Sequence, residues 1–152
     1  MWTFRQMMLK RQEIFRHCFA GFDADTVARF TDADVDRILQ TEGMIRSRRK
    51  VEGMIANARA FVRVAAEFGS FDKYIWSFTQ GQSIIYPSHA DQWVTRNELS
   101  DRVARDLKQR GFCYVGSTII YSHLQAIGII NDHHPGCFRY AELARGCTVA
   151  EE

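Results

Sequence analysis

The sequence predicts an all-α fold. Only two prolines, Pro87 and Pro135, occur in the 152 residues, so long helices are possible on either side of them. Several segments place apolar residues at positions i, i+3, i+4 and i+7, which is the spacing of one helix face. The apolar run at residues 83–86 is too short to build a sheet, so no strand pattern competes with the helices.

The first predicted helices lie before residue 41. Apolar residues fall near one helical face and indicate a first helix that ends near Gly21. Asp23 is placed to cap a short helix that runs through Phe30, and Thr31 is placed to cap a helix over residues 32–40. The apolar residues of the first helix are Phe4, Met7, Met8, Ile14, Phe15, Cys18 and Phe19.

The clearest periodicity follows, and it predicts a long amphipathic helix over residues 48–68. Gly69 ends this helix, because glycine readily adopts the backbone conformation found just past a helix end. Ser70 can then cap a helix over residues 71–78. The periodic apolar residues of the long helix are Val51, Met54, Ile55, Ala58, Phe61, Val62 and Ala65.

The second half of the chain begins with an extended polar loop, predicted over residues 79–96. A helix is predicted over 97–110, with Leu99, Val103 and Leu107 spaced by four residues. Residues 115–127 are apolar on most sides, which is typical of a central buried helix. Together with the earlier helices, these elements predict one domain over 1–140. The remaining residues, 141–152, have little apolar content and predict a flexible tail.

Composition restricts the possible classes of protein. Hydrophobic residues make up 46% of the chain and charged residues 25%, as in ordinary globular proteins. No apolar run approaches the roughly 20 residues that span a bilayer, and residues 1–10 lack a signal-peptide pattern. We therefore predict a cytoplasmic protein without a membrane partner. In that compartment free thiols are expected rather than disulfides, with metal binding as the alternative, for Cys18, Cys113, Cys137 and Cys147.

A candidate DNA-binding segment joins two of the predicted helices through a turn at residues 41–47. Gly43 can adopt a positive φ, and the two apolar residues after it can fill the space between the helices. A helix start presents unpaired N–H groups that suit a phosphate, and basic side chains cluster there. These residues are Arg46, Arg48, Arg49 and Lys50.

The arrangement of that segment resembles a helix-hairpin-helix motif, which binds the DNA backbone without reading its sequence. It differs from the common form, which has two glycines around an apolar residue, because only Gly43 is present. The other interpretation is that these basic side chains are simply solvated, as they are between many pairs of helices. The net charge of +2 does not decide between these two interpretations, so evidence for DNA binding must come from the clustering of basic residues.

A candidate metal site follows the last predicted helix. His133 and Cys137 lie four residues apart around the Pro-Gly pair at 135–136, and they could provide two ligands to zinc. Structural zinc takes four ligands, and no second close pair completes the set. An ordinary turn with a buried cysteine is therefore the alternative.

Seven segments of the chain together resemble the 3-methyladenine DNA glycosylase I family. The resemblance covers roughly residues 9–140, in order and with few gaps. Its pieces are GMIR at 43–46, RKV at 49–51, NARA at 57–60, YIWSF at 74–78, DLKQRGF at 106–112, YVGSTIIYSHLQA at 114–126 and GIINDH at 128–133.

The resemblance implies a helical fold of the helix-hairpin-helix glycosylase superfamily and a role in base-excision repair of alkylation damage. The expected activity is hydrolysis of the N-glycosidic bond of 3-methyladenine in double-stranded DNA, after the nucleotide has been flipped out of the helix. The family also carries a structural zinc, and His133 and Cys137 match its second pair of ligands, with His134 as a substitute. The family further implies a monomer.

The resemblance also implies that the family's first few dozen residues have no counterpart here. They carry the glutamate that bonds the lesion, two zinc ligands and a stacking tryptophan, so no catalytic residue is assigned. Without a gap, Arg5 stands at the tryptophan's position, and Trp2 lies three residues early. The candidates for the base pocket are Trp2, Tyr121 and Ser122, although core packing is the alternative for Tyr121 and Ser122.

Three alternatives stay open. The chain could be a fragment or degenerate relative that binds the DNA backbone without catalysis. That function needs only Gly43, Arg46, Arg48, Arg49 and Lys50. A new start of the chain could instead form a different pocket. The basic face could also bind a protein partner. The carboxy-terminal block at residues 116–137 favours the enzyme, because a simple DNA-binding pair of helices would not need it.

Overall fold

Eight α-helices and two short strands form the part of the chain that the computed structural model describes, residues 9–86 and 93–150. The all-α class predicted from the sequence is confirmed. The helices are α1 (Gln12–Cys18), α2 (Ala24–Ala28), α3 (Asp32–Gln40), α4 (Arg48–Phe68), α5 (Phe71–Ser77), α6 (Glu98–Gln109), α7 (Ser117–Ala126) and α8 (Phe138–Ala144). The strands are β1 (Ser83–Ile85) and β2 (Cys147–Val149). A short 3-10 turn spans Ala20–Phe22, between α1 and α2.

The predicted caps hold the helix starts in place. The Asp23 side chain accepts a hydrogen bond from the Thr26 N–H at 2.8 Å, and the Ser70 hydroxyl accepts one from the Lys73 N–H at 3.0 Å. The long helix α4 has the predicted bounds and ends at Gly69, whose φ is +82°. The two helix starts follow local chemistry, because a short polar side chain there accepts a hydrogen bond from an otherwise unbonded N–H group.

Two apolar cores lie along the length of α4. Its first half contributes Val51 and Ile55 to an amino-terminal core formed with α1, α2 and α3. Its second half contributes Val64 to a carboxy-terminal core formed with α5, α6 and α7. The long helix therefore connects the turn that precedes it to the carboxy-terminal helices.

The two strands differ from the sequence prediction. β1 pairs in parallel with β2, with Ser83 opposite Cys147 and Ile85 opposite Val149. A three-residue strand has almost no periodicity of its own and is stable only beside its partner, so the pattern at 83–86 did not reveal the pairing. Within the predicted flexible tail from residue 141, the structure contains the end of α8 and β2.

Candidate nucleic-acid interface

The turn at residues 41–47, here called the basic turn together with the first three residues of α4, is held against the amino-terminal core. Met44 is 5% exposed and Ile45 packs on the same core, so the predicted filling of the space between α3 and α4 is confirmed. The Thr41 hydroxyl donates to the Arg37 carbonyl at 3.0 Å, and the Met44 N–H donates to the Thr41 carbonyl at 3.2 Å. Gly43 has a φ of +78°, as the prediction requires.

The start of α4 has open hydrogen-bond donors. Ser47 precedes the helix in an extended conformation, and its side chain makes no capping hydrogen bond. The Ser47 carbonyl accepts the N–H groups of Lys50 at 3.0 Å and Val51 at 3.1 Å. Among the described residues, no acceptor faces the N–H groups of Arg48 and Arg49. Because the helix dipole places partial positive charge there, this end of α4 suits an anion.

The four basic side chains of the turn are all exposed, but their surroundings differ. Arg48 forms ion pairs with Asp36 on α3 and with Glu52 at 3.6 Å. The hydrogen bond that Arg48 donates to Asp36 raises the pKa of the Arg48 guanidinium, with a smaller contribution from Glu52. Arg46, Arg49 and Lys50 form no ion pair with any residue in 9–86 or 93–150. Three cations are therefore open to a ligand, while Arg48 links α3 to α4.

The loop between α6 and α7 lies along α4 beside the basic turn. The Asn57 side chain donates to the Cys113 carbonyl at 3.1 Å and accepts the Cys113 N–H at 2.6 Å. The Tyr114 hydroxyl lies 3.5 Å from the carbonyl of Arg49, in the first turn of α4. Sequence reasoning assigned no role to these residues. The available signal was Gly53, because a glycine inside a long helix often marks a close approach by another segment.

The predicted pocket residues are not brought together in the described part of the chain. Tyr121 is 1% exposed, and its hydroxyl donates to Asp132, which also accepts a hydrogen bond from Gln125 at 2.9 Å. Burial raises the pKa of Tyr121, and Asp132 raises it further. Ser122 is exposed and donates to the Thr118 carbonyl at 3.2 Å. Trp2 lies outside the described residues.

The positions of these side chains show which sides of α7 are buried. Adjacent residues on a helix point about 100° apart, so Tyr121 faces the core while Ser122 faces solvent. The helix is also less enclosed than its apolar sequence predicted, because Ile119 is 60% exposed. Apolar content alone therefore did not determine which sides of α7 are buried.

The two predicted metal-binding residues do lie close together. The Nδ1 atom of His133 and the Sγ atom of Cys137 are 3.8 Å apart. Two ligands of a tetrahedral zinc are separated by roughly 3.5 Å at ordinary bond lengths, so this pair fits half of such a site. His134 is less suitable as a substitute, because its Nδ1 accepts the Gly136 N–H at 3.0 Å. The described residues contain no group of three or more metal-binding side chains.

Comparison with protein families identifies one match over nearly the whole chain. The family model described as methyladenine glycosylase matches residues 3–140. The chain is 39% identical over 134 residues to the DNA-3-methyladenine glycosylase 1 of Escherichia coli (strain K12), covering 88% of this chain and 72% of that protein. It is 34% identical over 131 residues to the DNA-3-methyladenine glycosylase of Haemophilus influenzae, covering 86% and 71%.

Solved structures give the same result for the fold. A crystal structure of 3-methyladenine DNA glycosylase I superposes with a TM-score of 0.76 at 43% identity, over 87% of this chain and 73% of that one. A structure of a variant of another 3-methyladenine DNA glycosylase I, in complex with 3-methyladenine, gives 0.77 at 28% identity, over 87% and 72%. Among the residues that the structure describes, no helix is both long and apolar enough to cross a membrane.

Proposed function

The chain belongs to the methyladenine glycosylase family, and we propose that it removes 3-methyladenine from alkylated DNA in base-excision repair. The observation that carries this proposal is the family match over residues 3–140, together with relatives whose names state this activity. In the reaction, the bond from C1′ of the deoxyribose to the base breaks with its electron pair going to the base, while water adds to C1′ and releases a proton to solvent. The base leaves without strand cleavage. Because 3-methyladenine in DNA is already cationic, it is a good leaving group.

The geometry of the basic turn supports the DNA-binding part of the proposal. The open N–H groups of Arg48 and Arg49 suit a phosphate, and three exposed cations surround them. Phosphate contacts of this kind fix a protein on the duplex without reading its sequence, as a repair enzyme that searches for damage requires. Both the family and the local structure therefore support double-stranded DNA as the partner.

The test of this function is release of the methylated base. We expect the chain to liberate 3-methyladenine from a duplex treated with a methylating agent, measured by chromatography of the free base. Heat-denatured protein and unmethylated duplex provide the controls. Release above both controls supports a glycosylase. If the protein binds the methylated duplex but releases no base, the catalytic assignment is wrong.

A non-catalytic DNA-binding module is the second candidate. The observation in its favour is that the basic turn is complete, whereas Tyr121 is buried and Ser122 faces solvent. Under this alternative the chain binds duplex DNA with strong salt dependence and releases no base. Measuring binding and release on the same methylated duplex separates the two functions.

The family resemblance also leads us to propose a structural zinc held in part by His133 and Cys137. The spacing of 3.8 Å between their donor atoms supports it, and zinc bound there would cross-link the segment that follows α7. His133→Ala and Cys137→Ser should lose the metal and lower the melting temperature, because zinc bound at structural sites contributes to folding.

Metal analysis of the purified protein and its thermal unfolding measure these effects. Cys113→Ser is the matched control, because Cys113 is an exposed free thiol outside this pair and its loss should leave the zinc content unchanged. Equal metal content in all four proteins, including the unaltered chain, would contradict the assignment. A monomer that acts in the cytoplasm stays a prediction from the sequence.

A further inference from the structure

Tyr114 combines two features that packing alone does not require. Its side chain is 51% exposed, although tyrosine is a large and partly apolar residue. Its backbone has a φ of +60°, in the left-handed region that residues with a side chain rarely adopt. Backbone strain of this kind persists only where the surrounding structure enforces it. The position is therefore fixed, while much of the ring faces solvent.

The ring of Tyr114 rests on a gap in the surface of α4. Gly53 is buried, and a Cβ atom built there would lie 2.7 Å from Cε2 of Tyr114. Only glycine therefore lets the ring approach the helix so closely. The double hydrogen bond between Asn57 and Cys113 fixes the backbone next to the ring. The hydroxyl reaches the carbonyl of Arg49, so the ring extends from Gly53 toward the start of α4.

We propose that Tyr114 contacts DNA, with its ring packed against a nucleotide of the strand whose phosphate lies at the start of α4. The inference rests on the DNA-binding function proposed above and adds a residue outside the basic turn. A nucleotide has an anionic phosphate beside an apolar sugar and base. The surface here has the complementary order, with open N–H groups and cations beside an exposed aromatic ring. Bases stack on such rings whatever their sequence, which matches backbone-directed binding.

Binding of a fluorescently labelled duplex, measured across a range of salt concentrations, tests this contact. We expect Tyr114→Ala to weaken binding about tenfold, the usual effect of removing one stacked aromatic ring. The slope of log affinity against log salt should not change, because no phosphate contact is lost. Tyr114→Phe should bind within about twofold of the unaltered chain, because the ring is kept. Phe138→Ala is the control for loss of an aromatic side chain, since Phe138 is 84% exposed on α8.

Gly53→Ala provides an independent variant that keeps the tyrosine. The added Cβ should displace the ring and weaken binding as Tyr114→Ala does. In the double variant the ring is already absent, so binding should be no weaker than for Tyr114→Ala alone. If Tyr114→Ala does not fold, Tyr114→Leu keeps apolar bulk on Gly53 and should still lose the affinity.

The outcomes separate this inference from the proposed function. If Arg49→Ala weakens binding and Tyr114→Ala does not, the basic turn stands and the Tyr114 contact is wrong. If Tyr114→Phe loses as much affinity as Tyr114→Ala, the hydroxyl acts rather than the ring, and the proposal is overturned. A lower salt slope for Tyr114→Ala would also overturn it. If the unaltered chain does not bind duplex DNA, both proposals fail.

Discussion

Replacing Arg46 and Arg49 together by alanine is expected to weaken binding of duplex DNA about 10- to 100-fold near 0.1 M salt. Both side chains are exposed beside the start of α4, and neither is neutralised by a carboxylate in the described part of the chain. Each phosphate that a cation neutralises releases a bound counterion, and this release drives binding. The slope of log affinity against log salt should therefore fall by roughly two when both contacts are lost.

The matched control for this experiment removes the same charge elsewhere. Arg105 and Lys108 lie exposed on α6, so changing both to alanine lowers the net charge by two without altering the basic turn. We expect that control to bind within about threefold of the unaltered chain, because its charges make no phosphate contact. Equal losses in the two double variants would show that overall charge matters and the turn does not. Unchanged affinity in the Arg46 and Arg49 variant would contradict the interface.

Arg48 shows why the candidate interface could be predicted only in part from the sequence. Gly43 and the basic residues predicted where the turn lies and that its cations are exposed, because both are local features. Which cation is neutralised depends on Asp36, which precedes it on another helix and comes close only once α3 packs on α4. A count of the basic residues near the turn therefore includes one side chain, Arg48, whose charge is already neutralised.

The same distinction applies to the fold. The bounds of α4 and the caps at Asp23 and Ser70 could be predicted, because each depends on residues within one turn of the helix. The contact of Tyr114 with the start of α4 could not, because its partner Arg49 is 65 residues away. Parallel pairing of β1 with β2 is likewise long-range. Tertiary contacts decide such features, and the local sequence pattern does not reveal them.

The two glycines Gly43 and Gly81 allow backbone strain to be separated from steric collision. Both have a φ of +78°. A Cβ atom at Gly81 would meet nothing within 4 Å, whereas one at Gly43 would lie 2.7 Å from Cδ1 of Ile14. Gly81→Ala should therefore cost about 1 kcal/mol of unfolding free energy from the left-handed backbone alone. Gly43→Ala should cost about 2 kcal/mol, because the end of the half-buried Ile14 side chain must also shift against the amino-terminal core.

Chemical denaturation of both variants measures the difference, and a third substitution identifies its cause. In an Ile14→Ala background the collision partner is gone, so Gly43→Ala should then cost about as much as Gly81→Ala. Only the Gly43 variant should also weaken DNA binding, because it shifts the turn that places the open N–H groups at the start of α4. Equal destabilisation by the two substitutions in the unaltered background would show that Ile14 moves aside freely. In that case the position of the basic turn would be set by the backbone of Gly43 and not by its packing on α1.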